Sequence, residues 1–556
     1  MTDENRLIYL PLGGAGEIGM NAYVYGYGKP GKGRLILVDL GITFPDMDTT
    51  PGVEQILPDI AWLKERRDRL DAIFITHAHE DHVGALAHLY ADLDVPVYAR
   101  AFTANIARRK MDEQGHPESA VHVVDPWPHQ VKAGPFRVGF LPIAHSIPES
   151  AGLVIDTPKG RLIHSGDFKL DPEPVVGEAF DPDLWASVAA LGVHALMCDS
   201  TNVFSPSPGR SESELSGPIQ DLLADAPGMV VATTFASNIA RLVTIAEAAQ
   251  KVGRSVVLLG RAMRRMVEAA VETGILTDFP GVVSPEDAAQ IPRENLLVLA
   301  TGSQGERRAA SAQLARGKFL GIEMKAGDTF LFSSKTIPGN ERDVIRIMNQ
   351  LSERGIDVVD DSGGRYHVSG HANRPDLQRL HSIVKPKMII PMHGEHRHLR
   401  EHVKLAEEAG FASAIAVNGT MLDLTGDTPQ VLELLEAGRT YVDGSVKIGA
   451  FDGIVRDRIR MALNGHVTVN IIIDEENRLL GDPWCEPMGL PPKGQSRKPV
   501  ADRIEKELSS FFARADRKLM KDDGKIDDAI RRIARQTANS EIGKKPEVTV
   551  IISRLE

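Results

Sequence analysis

The most restrictive feature of this sequence is a polar segment that directly follows an apolar run. The run AIFI at 72–75 is typical of a buried strand, and the segment THAHEDHVG comes immediately after it. Within six positions this segment carries His77, His79, Asp81 and His82. A loop at the carboxyl end of a strand can turn several side chains towards one point. Imidazole and carboxylate groups are ligands that a cation such as Zn²⁺ accepts, so the pattern predicts a metal site.

Further ligands are expected elsewhere, because four ligands from one loop cannot all bind a single small cation. Two cations about 3.5 to 4 Å apart can activate water and clamp a phosphate. His145 follows the strand-like LPIA, Asp167 follows LIHSG, and His393 follows IIPM. Asp39 ends the strand-like LILV, where its carboxylate is placed to orient a ligating histidine without binding the metal itself.

Composition restricts the class of protein. The chain has 556 residues, enough for several domains, and 42% hydrophobic with 25% charged residues is ordinary for a soluble protein. No run approaches the roughly 20 apolar residues of a membrane span, and the polar start MTDENRLIYLPLGG is unlike a signal peptide. We therefore expect a cytoplasmic protein with no membrane association.

The cysteine count and the net charge restrict the chemistry. Only Cys198 and Cys485 are present, so we expect neither a disulfide framework nor a cysteine-ligated zinc site, and histidine and carboxylate should hold any metal. The formal net charge of -12 argues against non-specific coating of nucleic acid, for which a basic surface is usual. A local basic channel remains compatible with that charge.

The succession of strand-like and helix-like segments predicts several domains. Before about residue 210, many strand-like segments with few helices indicate two sheets with helices packed outside. After that point, segments such as GMVVATTFAS each lead into a long helix, which indicates a parallel, doubly wound sheet. Short strands return after YHVSGHA, and a last α/β unit contains HVTVNIIID, a charged helical stretch over 500–539 and a closing strand. The predicted boundaries are 1–209, 210–365, 366–447 and 453–556.

The glycine-rich segment GGAGEIG suggests a competing site. Gly14, Gly16 and Gly19 have the spacing of a dinucleotide-binding fingerprint, and Asp39 follows twenty residues after Gly19. That fingerprint requires a helix after the glycines, whereas MNAYVYGYG is aromatic and strand-like. The pattern therefore favours a tight turn beside the metal site.

Taken in order along the chain, the candidate ligands resemble the motifs of the metallo-β-lactamase superfamily. The matching positions are Asp39, His77, His79, Asp81, His82, His145, Asp167 and His393. The resemblance implies an α/β fold, the αβ/βα sandwich of that superfamily. It also implies one cation on His77, His79 and His145, a second on Asp81, His82 and His393, and Asp167 as the bridge.

The inserted strand–helix unit narrows the resemblance to the β-CASP group, whose members act on nucleic acids. Asp199 in MCDSTN, His371 in HVSGHA and His393 in MHGEH match the three motifs of that group. From the residues alone, Asp199 can equally cap a turn, and His371 can be a packed histidine. The resemblance implies catalytic roles, in which Asp199 and His371 stabilise the phosphate or assist the leaving group and Asp81 orients the attacking water.

Over almost the whole chain the sequence resembles the bacterial ribonuclease J family. LGGAGEIGMN, SGDFKLD, IPGNE, HVSGHA and MHGEHRHL are similar to segments of that family. The resemblance implies a metal-dependent ribonuclease of rRNA processing and mRNA decay, with 5′-to-3′ exonuclease and endonuclease activity on single-stranded RNA. It further implies two divalent ions, Zn²⁺ or Mn²⁺, a homodimer or tetramer supported by the C-terminal domain, and a place in an RNA-degrading assembly.

A pocket for a 5′-monophosphate belongs to the same implication. Helix starts in the inserted unit suit an anion, because free N–H groups and the helix dipole favour negative charge there. Phe235 is placed to stack on a base, as in single-strand binders. The residues implied for this pocket are Phe235, Ser237, Asn238, His367, Val368, Ser369, Gly370 and His371.

Three other functions compete with this interpretation. A thioester or lactam hydrolase of the same superfamily would leave the inserted unit unexplained. A β-CASP DNA-processing nuclease is distinguished by comparing cleavage of matched RNA and DNA strands. A non-catalytic RNA-binding scaffold would have a decayed site, whereas every ligand position is filled here. His396 and His398 are assigned to structure, because they are expected on the helix that follows His393.

Overall fold

The structure is a computed structural model that describes residues 5–555. Two compact units are present. Unit 1 is the chain up to Thr43 with Leu57–Arg439, and unit 2 is Phe44–Ile56 with Thr440–Glu556. Within the described part of the chain, no helix is both long and apolar enough to cross a membrane.

Unit 1 contains a sandwich of two sheets whose inner faces share one core. Tyr9, Tyr25 and Phe74 of the first sheet lie in the same buried cluster as Phe140 and Leu153 of the second. Alternate residues of each strand face inward, as two packed sheets require. In spatial order the first sheet consists of Gln430–Leu434, Thr420–Asp423, Arg6–Gly13, Ala22–Gly28, Arg34–Val38, Leu70–Ile75, Val97–Ala99 and Val121–Val123. The second consists of Ala412–Ser413, Met388–Met392, Ala195–Asp199, Gly160–His164, Ala151–Thr157, Phe136–Pro142 and Val131–Ala133.

Helices cover the outer face of the second sheet. Trp185, Leu377 and Leu405 come from three different helices and pack in one cluster with Leu196 and Ile389 of the sheet. The α-helices of unit 1 are Ala61–Lys64, Glu80–Val83, Leu86–Leu93, Ala101–Glu113, Pro182–Ala189, Ser216–Asp225, Ile239–Lys251, Arg261–Glu272, Ala310–Arg316, Glu341–Ser352, Arg374–Val384 and His396–Glu408.

Five parallel strands form the sheet of the inserted unit, as the strand–helix rhythm predicts. Val230 and Ala232 face one helical layer, and Val231 faces the other. Burial on both faces explains why such strands are almost continuously apolar. In spatial order the strands are Ser255–Leu259, Leu296–Ala300, Val230–Thr233, Thr329–Phe332 and Asp357–Val359. Two short hairpin strands, Lys318–Phe319 and Ile322–Glu323, lie along the chain between the helices Ala310–Arg316 and Glu341–Ser352.

Unit 2 packs helices against one face of a three-stranded sheet. Val467 and Val469 of its central strand share a buried cluster with Ile504 and Leu508. The sheet consists of Trp484–Met488, His466–Ile473 and Glu547–Arg554. The strands Arg439–Asp443 and Val446–Gly449 form a hairpin, and the strand Gln55–Pro58 spans the point in the sequence where unit 2 passes into unit 1. The helices are Ile454–Asn464, Val500–Phe512 and Asp523–Ile542.

The structure of unit 2 differs from the sequence prediction at two places. The charged stretch over 500–539 is helical, as predicted, but it is divided into two helices, and the Asp522 side chain caps the second by accepting a hydrogen bond from the Lys525 backbone N–H. The strand Trp484–Met488 was not predicted, because its sequence WCEPM contains a proline and lacks clear alternation.

Candidate metal centre

The candidate ligands lie in loops that leave the ends of neighbouring strands. In the first sheet, Arg34–Val38 and Leu70–Ile75 are parallel, and the segment starting at Thr76 follows the second of them. In the second sheet, three adjacent parallel strands end at one edge, and they are Gly160–His164, Ala195–Asp199 and Met388–Met392. The chemistry-bearing residues at this edge are Asp167, Asp199 and His393.

Three histidines form a first ligand cluster, in which the ring nitrogens converge. Nε2 of His77 lies 3.0 Å from Nδ1 of His79, and Nε2 of His145 lies 3.1 Å from the same Nδ1. Burial lowers the pKa of His79 to about 4 and lowers the pKa values of His77 and His145 well below the ordinary value. All three imidazoles are therefore neutral, which is the form that binds a metal.

The second ligand cluster combines two histidines with two carboxylates. Oδ2 of Asp167 lies 3.1 Å from Nε2 of His82 and 3.5 Å from Nε2 of His393. The same oxygen lies 3.9 Å from Nε2 of both His77 and His145, so it is near the ligand atoms of both clusters. The four members of the second cluster are Asp81, His82, Asp167 and His393.

Charges in the second cluster are strongly coupled. Burial would lower the pKa of His393, but the carboxylates of Asp167 and Asp199 raise it to about 10. Burial is also outweighed at His82, whose pKa Asp167 and Asp81 raise well above the ordinary value. The histidines in turn lower the pKa values of Asp81 and Asp167 against the opposing effect of burial. A bound cation would replace the histidine protons, because metal binding releases protons from its ligands.

The residues present fit a pair of divalent cations. Five histidines and two carboxylates supply nitrogen and oxygen donors, which suit Zn²⁺ and Mn²⁺. Oδ1 of Asp167 is buried and has no hydrogen-bond partner among residues 5–555. An unpaired buried carboxylate oxygen is costly, and a nearby cation would offset that cost.

Asp39 holds His82 from the side opposite the cluster. Its Oδ2 accepts a hydrogen bond from Nδ1 of His82 at 2.8 Å, and its Oδ1 accepts one from the Thr76 backbone N–H at 2.8 Å. This contact leaves Nε2 of His82 facing Asp167, as an orienting role for Asp39 requires. Asp39 itself has φ 61°, a left-handed conformation that is strained for a residue with a side chain.

The glycine-rich loop turns beside the second cluster, as predicted. Gly14 has φ +81°, and its carbonyl accepts a hydrogen bond from the backbone N–H of His393 at 2.7 Å. The loop leads into the strand Ala22–Gly28, so the helix that a dinucleotide-binding fingerprint needs is absent there. Sequence reasoning missed Asn21, whose Nδ2 lies 3.0 Å from Nε2 of His82. Asn21 could have been identified from the sequence, because it is the last residue of LGGAGEIGMN, one of the segments that resemble the ribonuclease J family.

Asp199 and His371 form a pair next to the second cluster. Nδ1 of His371 donates to Oδ2 of Asp199 at 2.8 Å, and the hydroxyl of Thr201 donates to Oδ1 of Asp199 at 2.7 Å. Oδ2 of Asp167 lies 4.0 Å from Nδ1 of His371. Burial would lower the pKa of His371, but Asp199 raises it above the ordinary value. Nε2 of His371 has no hydrogen-bond partner within the described chain, so this nitrogen is available to a ligand.

A cavity of about 660 Å³ lies beside the segment HVSGH. His367, Val368 and Ser369 line it, together with Ser334 and Lys335, which were not named individually among the predicted pocket residues. The ammonium group of Lys335 makes no hydrogen bond or ion pair with the residues that the structure describes. Such a free cation in a cavity of this size suits an anionic ligand.

The remainder of HVSGH contacts the metal centre. The carbonyl of Gly370 accepts a hydrogen bond from Nδ1 of His145 at 2.6 Å. A Cβ at Gly370 would lie 2.9 Å from Cε1 of His145, so a larger residue would displace that ring. Asn202, in DSTN, donates through Nδ2 to Oγ of Ser369 at 2.8 Å and to the carbonyl of His371 at 3.2 Å.

Five residues predicted for the pocket lie outside the cavity lining, namely Gly370 and His371 at the metal centre and Phe235, Ser237 and Asn238. Phe235 and Ser237 are half-buried in the loop after Val230–Thr233. Oδ1 of Asn238 accepts a hydrogen bond from the Arg241 backbone N–H, so this side chain caps its helix. Their role in binding stays a prediction. His396 and His398 lie on the helix His396–Glu408, as expected, and the ring of His398 packs against Phe204.

Four models of known protein families match successive segments of this chain. The matching family models are Metallo-beta-lactamase superfamily at 15–196, Ribonuclease J, beta-CASP domain at 227–351, Zn-dependent metallo-hydrolase RNA specificity domain at 365–416, and Ribonuclease J C-terminal domain at 453–555. A protein named Ribonuclease J from Sinorhizobium meliloti is 41% identical over 100% of this chain and 98% of its own length. The chain belongs to the ribonuclease J family.

A second Ribonuclease J, from Mycolicibacterium smegmatis, is 33% identical over 97% of this chain and 95% of its own length. The ribonuclease J match confirms the predicted family and the predicted fold, a metallo-β-lactamase sandwich with an inserted β-CASP domain and a C-terminal domain. A crystal structure of a protein of unknown function from Enterococcus faecalis V583 covers 75% of this chain and 100% of its own, with TM-score 0.50 and 16% identity. That likeness concerns the fold alone.

In this ribonuclease J family member, a buried ion pair organises the cavity wall. Arg241 is fully buried and pairs with Glu212 through two hydrogen bonds, of 2.5 and 3.0 Å. Its Nη1 donates to the carbonyls of Ser333 and Tyr366, at 2.7 and 3.2 Å, and lies 3.3 Å from Nδ1 of His367. One guanidinium therefore links the loop that carries Lys335 to the segment HVSGH.

Proposed function

We propose that this chain hydrolyses the phosphodiester bonds of single-stranded RNA, that it removes nucleotides from the 5′ end with a preference for 5′-monophosphate ends, and that it also cleaves internally. Membership of the ribonuclease J family makes it a metal-dependent nuclease. The segment His367–His371 carries the finer proposal, because its first residues line the cavity and its last residues contact the metal centre. Five residues span at most about 14 Å between their outer Cα atoms, so an anchored 5′ end would lie close to the cleavage site.

Three side chains supply donors for a terminal phosphate. Burial, with Arg241 nearby, lowers the pKa of His367 to about 3, so its ring is neutral. Because Nδ1 of His367 faces a guanidinium donor, its proton lies on Nε2, which can donate. Oγ of Ser369 accepts from Asn202 and from the His371 backbone N–H, so its own hydroxyl proton is available. Lys335 adds a positive charge.

We further propose that the metal centre holds two divalent cations, Zn²⁺ or Mn²⁺. His77, His79 and His145 would bind one, and Asp81, His82 and His393 would bind the other, with Asp167 between them. Cations held there activate water for attack on phosphorus and neutralise charge on the phosphate.

The chain's own residues would complete the reaction. Asp81 lies at the edge of the second cluster, where its carboxylate can orient the attacking water. Asp199 fixes the ring of His371 through Nδ1, so that Nε2 can donate a proton to the departing 3′-oxygen or a hydrogen bond to the phosphate. No serine or cysteine nucleophile is needed in this scheme.

A time course on one RNA with different 5′ ends tests the proposal. We expect release of mononucleotides from the 5′-monophosphate form, much slower release from the 5′-triphosphate form, and no cleavage with a chelator present. Internal fragments from both forms would show the endonuclease activity. A DNA strand of the same sequence should resist cleavage, and its equal degradation would instead favour a DNA-processing nuclease.

A matched pair of lysine variants tests the pocket itself. Lys335→Met removes the charge but keeps the stem, and a charge-assisted hydrogen bond of about 1.5–3 kcal/mol corresponds to a roughly 10- to 100-fold loss. We expect that loss in kcat/KM on 5′-monophosphate RNA and little change on 5′-hydroxyl RNA. Lys325→Met, at an exposed lysine that does not line the cavity, is the control. Equal effects of Lys335→Met on both RNAs would refute the pocket assignment.

We also propose that the chain is a cytoplasmic homodimer, as the family resemblance implies. Two apolar residues of the edge strand Trp484–Met488 are exposed, Trp484 at 52% and Met488 at 71%. We expect sedimentation of the full chain to give the mass of two chains, and Trp484→Glu to give one. Leu191→Glu, at an apolar residue of unit 1 that is 77% exposed, should leave the mass unchanged. A monomeric unaltered chain would contradict the proposal.

A further inference from the structure

A further group of side chains that could bind a metal, outside the two ligand clusters of the candidate metal centre, lies on the helix-covered side of the second sheet. Cys198, His381 and His402 each present one ligand atom, and these atoms all lie within 4.8 Å of one another. Nε2 of His381 and Nε2 of His402 are 3.1 Å apart. The side chains are 0%, 1% and 0% exposed, so the group is enclosed by protein.

This group is separate from the candidate metal centre. Cys198 packs with the outer apolar cluster of the sheet, whereas its neighbour Asp199 faces the centre at the strand end. Successive residues of a strand point to opposite faces, so the thiol and the Asp199 carboxylate serve different sites. The three residues come from Ala195–Asp199, Arg374–Val384 and His396–Glu408.

The hydrogen bonds around the histidines suit ligands better than packed core residues. Nδ1 of His402 lies 2.9 Å from Oγ of Ser200, which can fix the proton on Nδ1 and leave a lone pair on Nε2. Nδ1 of His381 is buried and has no partner among the described residues. A buried nitrogen without a hydrogen-bond partner raises the free energy of the folded state, and a leucine at this position would not. A favourable interaction at Nε2 of His381 would offset that cost.

We propose that Cys198, His381 and His402 bind a structural cation with affinity for sulfur, Zn²⁺ or Cu⁺. Thiolate and imidazole are the ligands that these ions select. On binding, the thiol of Cys198 gives its proton to solvent and the thiolate bonds to the cation, with no change of oxidation state. This site departs from the sequence expectation that histidine and carboxylate alone would hold metal.

The position of the cation gives it a function. The cation would join one strand and two helices. Asp199 is the last residue of the strand, and His371 and His393 each lie three residues before the start of one of the helices. A bond from each element to one ion would hold these elements in fixed relation, and thereby the residues at their ends. The cation would stabilise unit 1 without contacting substrate.

A metal–sulfur bond is the diagnostic signal, because the candidate metal centre contains only nitrogen and oxygen ligands. X-ray absorption at the zinc and copper edges, on full-length protein from metal-supplemented cells, should show a sulfur scatterer at about 2.3 Å from the ion. The edge that shows it identifies the ion. We expect the signal to disappear in Cys198→Ser, and to persist in Cys485→Ser and in His79→Ala.

His381→Leu separates a metal site from a hydrogen-bonded histidine pair. If a cation is bound, this variant should lose one metal ion per chain and its Tm should fall by at least about 5 °C. If the histidines only share a proton, the same change removes an unpartnered nitrogen and should leave metal content unchanged and Tm unchanged or higher. Absence of any sulfur-bound metal in the unaltered protein would overturn the proposal, even where the variants fold poorly.

Discussion

His79→Ala is expected to abolish RNA cleavage, by more than about 10³-fold in kcat/KM, while the fold persists. Nδ1 of His79 lies between the ring nitrogens of His77 and His145, so its loss leaves the first cluster with two ligands. The side chain of His79 makes no capping hydrogen bond to the helix Glu80–Val83 that begins after it, and the local backbone should therefore survive.

Three measurements check this result, namely cleavage of 5′-monophosphate RNA, metal bound per chain, and the thermal unfolding midpoint. We expect bound metal to fall with activity and the midpoint to change little. His129→Ala is the matched control, because His129 is an exposed histidine outside both clusters. A His79→Ala protein that cleaves RNA without bound metal would rule out the proposed chemistry.

Asp199→Asn is expected to lower kcat by about 10²- to 10⁴-fold with little change in KM, the range associated with loss of a general acid. The carboxamide has the same shape as the carboxylate, but it cannot keep the charge that holds Nδ1–H of His371. The ring can then adopt the wrong tautomer or orientation at Nε2. Steady-state kinetics on the 5′-monophosphate RNA measure the effect.

The most stringent control for this prediction is whether the losses of kcat from the two single variants add up in the double variant. If Asp199 acts through His371, then His371→Ala and the double variant should each match Asp199→Asn, because the two residues form one unit. Asp156→Asn is the control for removing a paired carboxylate elsewhere, since Asp156 pairs with Arg161. Because Oδ1 of Asp199 lies 3.6 Å from Nδ1 of His393, bound metal must also be measured. A parallel loss of metal would mean that Asp199 acts by placing His393 instead.

The local pattern of apolar and polar residues predicted those parts of the fold that depend on residues close together in the sequence. The strand–helix rhythm after residue 210 predicted a parallel sheet, because each strand buried on both faces reads as a short apolar run. The same reasoning failed at Trp484–Met488, since an edge strand of a small sheet has one exposed face and tolerates a proline.

Residues that meet only in space were missed. Lys335 was not among the predicted pocket residues, although it lines the same cavity as His367, which was. In the sequence nothing distinguishes Arg241 from other arginines on helices, and only the structure shows that it pairs with Glu212 and donates to the carbonyl of Tyr366. Asn238, which the family resemblance implied for the pocket, caps its own helix through its side-chain oxygen, and its role in binding stays a prediction.

The sequence by itself determined the kind of chemistry, since histidines and carboxylates placed just after apolar strands keep their ligand character in whatever way those strands pair. Only the tertiary structure decided which of them face each other, which oxygen of Asp167 is near both clusters, and that Cys198 lies beside His381 and His402. The physical reason is distance along the chain: Ser200 and His402 are 202 positions apart, and only the packing of a strand against two helices brings such groups within hydrogen-bonding range.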